Sequence, residues 1–250
     1  MKWSMLMAMA ALVIVMAGNA SAAVPGWTKR AVDEVVPTLL EGLALDERPR
    51  ITLRWKQGDH PPGVRIIESQ TRGDEVLIQL LGSWRTSSEE ARSQLVRNLA
   101  HELAHVWQWS LGDPVEPRLL HEGFAEAIAI DLLVRCRELC RASPERLVIK
   151  LEGQCRYALQ MGRVGGLNER GAIYGCGAVL TESIAVAAQL SPQDLYRRYT
   201  ETDRSMSDFL DLTEQLAGQR YAVSARTFLT ADLRMASPST TMGRLRAGRL

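Results

Sequence analysis

Aromatic residues make up only 6% of this 250-residue chain, and histidine occurs four times. No sign of charge dominates: 30 Lys+Arg stand against 29 Asp+Glu, a formal net charge of +1. Such a balance supplies neither a global basic field nor an acidic tail. Nucleic acid is therefore not an expected partner. Four cysteines are too few for a disulfide-dense miniprotein. Beyond the first 22 residues no apolar run is long enough to span a bilayer, because Glu126 and Asp131 interrupt one stretch and Glu182 another. The whole chain is 46% hydrophobic and 24% charged, which suits one globular domain with a real core and excludes a disordered or collagen-like chain.

The first 22 residues read as a leader. Lys2 begins them, an apolar run of 14 residues follows from Met5 to Gly18, and Ala20-Ser21-Ala22 offers a small-x-small cleavage site. That is the pattern of a secretory signal peptide, and the run falls short of the about 20 residues a spanning helix needs. The expectation is an exported protein, periplasmic or secreted, with no stable membrane insertion after cleavage. Residues 23–236 are expected to form the domain and 237–250, rich in Ser, Thr, Gly and Arg, a flexible tail. Export agrees with an even cysteine count, which suggests two disulfides among Cys136, Cys140, Cys155 and Cys176. Cys136 and Cys140 are expected to pair outward, one with Cys155 and one with Cys176, in an order the sequence leaves open. A four-cysteine zinc site is the rival, on poor spacing.

Hydrophobic spacing predicts strands first and helices afterwards, an α+β arrangement. A helix is expected over Trp27–Leu43, bent or interrupted at Pro37. Strands follow at Ile51–Trp55, Val64–Glu68 and Glu75–Leu81, with Thr71–Asp74 as a hairpin turn. Thr86 with Glu89 and Ser87 with Glu90 form two overlapping capping boxes for a helix reaching Leu111. A second long helix should run from Pro117 to Cys140, residues 141–170 should be irregular, and a third helix should span Ala172–Leu190. Shorter helices are expected from Ser191, over Ser205–Leu216 and over Ser224–Leu233.

The chemistry concentrates in His101-Glu102-Leu103-Ala104-His105, an HExxH run inside the capped helix. Four residues advance a helix by about 400°, so both imidazoles lie on one face and can close on one zinc ion. Glu102 sits where it can take a proton from water activated by that ion. A zinc hydrolase also needs a third protein ligand and an open position. The metzincin pattern would supply Gly and His where this chain has Gln108 and Leu111, which excludes that class. Downstream, Glu122 and Glu126 share a helix face. One carboxylate can bind the metal while the other accepts a hydrogen bond from a ligating histidine.

HELAHVW followed by HEGFAEA resembles the gluzincin metallopeptidases, including the alanyl and glycyl aminopeptidase families. The likeness covers residues 86–130 and continues more weakly through Ala172–Gly177. It implies a zincin-like domain, with a small N-terminal sheet packed on a mainly helical body that carries the active-site helix. It also implies His101, His105 and Glu122 as ligands of one Zn2+, Glu102 as general base and Glu126 as the acid behind a ligand. Sixteen residues separate His105 from Glu122, slightly fewer than in the aminopeptidases, which keeps Glu126 open as the ligand. Tyr174 is a candidate donor to a developing oxyanion, with a buried structural tyrosine as the alternative; Arg170 and Arg156 are weaker candidates. No GxMEN-type motif for recognising a free amino terminus is present.

The expected function is that of an exported zinc metallopeptidase acting on a peptide or protein substrate. Two alternatives stand beside it: a gluzincin-like binding protein that keeps zinc for stability, and a zinc hydrolase of a non-peptide amide or ester. Peptide preference, endo- or exo-cleavage and oligomeric state are not readable.

Overall fold

A computed structural model describes residues 23–58 and 60–250; the leader expected at 1–22 lies outside the described residues. Helix α1 (Gly26–Leu43) comes first, followed by strands β1 (Arg50–Lys56), β2 (Arg65–Arg72) and β3 (Glu75–Gly82). Helices α2 (Glu89–Ser110), α3 (Arg118–Arg135), α4 (Arg137–Cys140) and α5 (Pro144–Met161) follow. A 3-10 turn (Val164–Gly166) and a π-helical turn (Gly171–Cys176) lead into α6 (Gly177–Ala187). Helices α7 (Pro192–Thr200), α8 (Met206–Ala217), α9 (Gln219–Thr230) and α10 (Pro238–Arg246) complete the chain. The fold is α+β, mainly helical, with a three-stranded sheet near the N-terminus. Among the described residues no single helix is long and apolar enough to cross a membrane.

The sheet has the order β1-β3-β2, with β1 parallel and β2 antiparallel to β3. Central β3 buries Val76, Ile78 and Leu80 at every second position, as a strand with one face on the core should. Edge strand β2 turns Ile67, Ser69 and Thr71 the same way, and two of these three carry hydroxyls. Trp27 on α1 donates its indole N–H to the carbonyl of fully buried Trp84, which locks α1 beside the strand-to-helix junction.

Helix α2 is the axis of the molecule. Ser88, in extended conformation, caps it by accepting a hydrogen bond from the Ala91 amide. The cap thus falls two residues after the expected box at Thr86 and one after that at Ser87, because Ser88 is the last non-helical residue. From Leu99 to Gln108 every residue of α2 is buried, as is usual for a helix packed on all sides. α1, the sheet and α3 provide that packing. Pro37 does not end α1, whose helix runs through it.

Four sequence expectations need correction. Residues 141–170 are not irregular: α5 occupies most of them, with Ser143 as its cap and Pro144 in its first turn. Leu147, Leu151, Cys155, Ala158 and Leu159 form its buried stripe. The expected flexible tail contains α10, whose Met242 and Leu245 join the core, and the Leu250 amide bonds to Ser224 Oγ. The cysteines do not pair outward as expected. Cys136 pairs with Cys140, and Cys155 pairs with Cys176. The long helix expected to Cys140 breaks at Cys136, so both members of the first pair sit at one local turn. Two disulfides agree with an oxidising compartment.

Close backbone approaches fix α3, α5 and α6 around the π-helical turn. A side chain on Gly177 would collide with the Leu119 carbonyl, and one on Gly175 with the Leu151 carbonyl. Thr181 Oγ1 adds a hydrogen bond across the first crossing, to the Gly123 carbonyl at 3.1 Å. The second crossing is bolted covalently by Cys155–Cys176, which joins residues 21 apart, whereas Cys136–Cys140 spans only 4. The longer loop gives the larger loss of unfolded-state entropy, about 3 kcal/mol for this separation. Replacing both Cys155 and Cys176 by Ala should therefore lower the thermal midpoint by several degrees more than replacing both Cys136 and Cys140. Equal losses in a calorimetric scan would contradict this ranking.

Candidate metal centre

Helices α2 and α3 bring His101, His105 and Glu122 together as a group that could hold a metal ion. The two histidine Nε2 atoms lie 3.1 Å apart. Glu122 Oε2 is 3.3 Å from the first and 3.2 Å from the second. An ion with tetrahedral ligands at 2.0–2.1 Å has donor-to-donor edges of about 3.3 Å. The three donors thus form a triangle of the size such an ion requires. Three carboxylates, Glu102, Glu122 and Glu126, create a negative field there. Burial alone would lower the His101 pKa, but these acids outweigh it and raise it to about 9. Burial holds His105 below its usual range. Glu122 is held far below the usual carboxylate range: burial opposes this, but hydrogen bonds and charge from the two histidines prevail.

The other nitrogen of each histidine faces a different neighbour. His105 Nδ1 lies 2.7 Å from Gln108 Oε1, and Gln108 Nε2 donates to the His121 carbonyl at 3.0 Å. An amide oxygen accepts only, so Nδ1 carries the hydrogen and Nε2 is left as a lone-pair donor. Glu126 faces His101 Nδ1 from 3.6 Å, beyond hydrogen-bond length, and is also 3.6 Å from Arg97. Both His101 Nδ1 and Glu126 Oε2 are buried without a hydrogen-bond partner. Of the two acids considered from sequence, Glu122 joins the donor triangle and Glu126 stands behind His101.

His121 is not in the triangle. Its ring stacks on His105 with centroids 4.5 Å apart, and its Nδ1 is 2.8 Å from Glu116 Oε1. Glu116 also accepts from the Tyr196 hydroxyl at 2.6 Å. Burial works against its charge, but the bonds from His121 and Tyr196 prevail and hold the carboxyl at a pKa of about 2. Tyr196 belongs to an aromatic cluster with Trp107, Phe124, Tyr199 and Phe209. Trp107 is thus a core residue.

Glu102 leaves α2 toward the sheet. Its Oε1 accepts from Ser69 Oγ and its Oε2 from Thr71 Oγ1, each at 2.6 Å. These two hydroxyls fix the plane of the carboxylate while leaving lone pairs on both oxygens. Ser69, Glu102, His101, Glu126 and Tyr174 line one cleft of about 300 Å³. A larger groove of about 890 Å³, beside α1 and α4, contains none of the candidate site residues.

Tyr174 reaches the cleft from the π-helical turn, its ring 5.8 Å from the His101 ring. Burial raises its pKa, with Glu122 adding to the shift and Arg118 opposing it, so the hydroxyl stays a donor. Arg170 lies over the Tyr174 ring and also lines the cleft, whereas Arg156 is paired with Glu152 outside it. The sequence reading missed Gln108, Ser69, Thr71 and Glu116. Gln108 was visible only as a departure from another motif. The other three are recognisable only once distant strands and helices are assembled.

No protein-family model matches this chain, and no curated protein is significantly similar to it in sequence.

Two outcomes follow from this geometry. Gln108→Ala removes the acceptor that orients His105 and should weaken metal affinity about 10–100-fold. Competition with a fluorescent chelator measures it, and unchanged affinity would contradict the orienting role. Glu116 has a folded pKa below its unfolded value of 4.5. Its contribution to stability is therefore present above pH 4.5 and is lost as pH falls toward 2. Thermal midpoints should decline more steeply over that window in wild type than in Glu116→Gln. Parallel curves would contradict it.

Proposed function

We propose that this protein is an exported zinc-dependent peptidase of the gluzincin kind. The convergence of His101, His105 and Glu122, with Glu102 fixed beside them, carries the reading. Two imidazoles and one carboxylate are the donor set of zinc hydrolases that keep one position for solvent or substrate. Bound zinc would supply Lewis-acid polarisation of a carbonyl and acidification of water. His101, His105 and Glu122 would hold it, with Gln108 and Glu126 behind the two rings.

The chain's own groups divide the remaining work. Glu102, held by Ser69 and Thr71, takes the proton of the attacking water and returns it to the leaving amine. Tyr174 donates its hydroxyl proton to the oxygen that gains charge as the carbonyl becomes tetrahedral. A peptide is favoured over another amide by β2, an edge strand whose Ile66, Ile67 and Ser69 line the cleft. The side of an edge strand without a neighbour can pair with an extended chain. The leader pattern in residues 1–22 and the two disulfides support export to the periplasm or beyond.

The test compares zinc content and hydrolysis of a broad peptide mixture in wild type, Glu102→Ala and Glu122→Ala. Glu102→Ala should retain zinc and lose about 10²–10⁴-fold in turnover, while Glu122→Ala should lose both. Wild-type protein that binds zinc stoichiometrically yet cleaves no peptide would overturn the peptidase reading.

A further inference from the structure

Cationic side chains predominate on the wall of the cleft. Arg65, Arg97, Lys150 and Arg170 line it, against the acids Glu102 and Glu126. Two of the four cations are already engaged: Arg65 donates to the Ser83 carbonyl with Glu90 3.8 Å away, and Arg97 faces Glu126. Lys150 and Arg170 have no carboxylate within ion-pair distance among the described residues. Partial burial and the charges of Arg97 and Arg170 hold the Lys150 ammonium below its usual pKa, with Glu126 opposing. Gln154, beside them, has a buried Oε1 without a hydrogen-bond partner.

Lys150, Gln154 and Arg170 also line a second groove of about 620 Å³ that runs outward past Tyr157 and Glu169. The catalytic cleft therefore continues past these two cations to the surface. Glu169 is the one acid on that outer wall, and it is exposed, as are Lys150 and Arg170. A nearby anion would relieve the mutual repulsion of the three cations. The position is also limited in reach. Arg170 lies 5.8 Å from the Tyr174 ring, which is 5.8 Å from the His101 ring. Its guanidinium is thus no more than about 12 Å from that histidine, the length of three or four extended residues.

We infer that Lys150 and Arg170, with Arg97 behind them, form a subsite for a carboxylate of the substrate within three or four residues of the cleaved bond. This rests on the peptidase reading for its substrate class. An acidic side chain and the peptide's C-terminus are the two sources of such a carboxylate, and both present the same charge to the same cations. Partly exposed charge pairs are individually modest, so two together should give a preference of about tenfold.

The test uses quenched fluorescent peptides with one common cleavage site. One is neutral and blocked at both ends, one carries Glu near the site, one carries Lys there, and one is neutral with a free C-terminal carboxylate. Wild type should cleave an anionic peptide with kcat/KM about tenfold above the neutral one. Preference for the Glu peptide alone assigns a side-chain carboxylate, and preference for the free terminus alone assigns a C-terminal one. Lys150→Gln with Arg170→Gln should bring the ratio near one. Lys150→Glu with Arg170→Glu should reverse the order in favour of the Lys peptide, which loss of folding cannot do. Equal cleavage of all four peptides by wild type, or a ratio unchanged in both double variants, would overturn the subsite and leave the peptidase reading intact. If wild type cleaves none of them, fluorescence polarisation of the same labelled peptides on zinc-loaded protein decides. Tighter binding of the anionic peptides that disappears in Lys150→Gln with Arg170→Gln upholds the subsite while the peptidase reading fails. Equal binding overturns both.

Discussion

The burial of α2 on every side from Leu99 to Gln108 is the constraint on which the rest of the structure depends. Leu99, Ala100, Leu103 and Ala104 place the helix in the core, and His101, Glu102 and His105 go in with them. Buried polar groups must find partners or their desolvation is uncompensated. The two histidines meet carboxylates of α3, and Glu102 meets the sheet. His105 meets Gln108 and Glu122, His101 meets Glu122 with Glu126 nearby, and Glu102 meets the hydroxyls of β2. Sheet and helices are thereby tied to one polar centre, and the same contacts that satisfy the core give the centre its geometry.

A second layer holds that geometry. Glu116, His121 and Tyr196 connect the back of the His105 ring to the aromatic cluster under α7 and α8. On the opposite side, Gly175 and Gly177 let the π-helical turn approach α5 and α3 at backbone distance, and Cys155–Cys176 fastens it. A π-turn places its side chains out of step with a regular helix, a device frequent at functional sites. Here it places Tyr174 against His101 and sets Arg170 at the mouth of the cleft.

Much of this was legible in the sequence, and the rest was hidden for physical reasons. The α2 helix, the three strands and the shared face of Glu122 and Glu126 follow from local periodicity, and the structure contains them. Helix α5 was concealed by Pro144 and Gly153, which resemble breakers. Pro144 instead occupies the first turn, where it costs no hydrogen bond, and Gly153 lies on the exposed face. The disulfide pairing was misread because helical spacing alone cannot show that the chain turns at Cys136. Ser69 and Thr71 lie more than thirty residues before Glu102, and Tyr196 is 80 residues beyond Glu116. Such partners have no local signature. They become recognisable only when packing supplies the neighbour.

The central claim is that two histidines of α2 and one carboxylate of α3 ligate a single zinc ion. X-ray absorption at the zinc edge of the purified protein tests it most directly. The account predicts one zinc per chain, with only nitrogen and oxygen neighbours at about 2.0–2.1 Å and the multiple-scattering pattern of two imidazoles. Sulfur neighbours at about 2.3 Å, or fewer than two imidazoles, would contradict it.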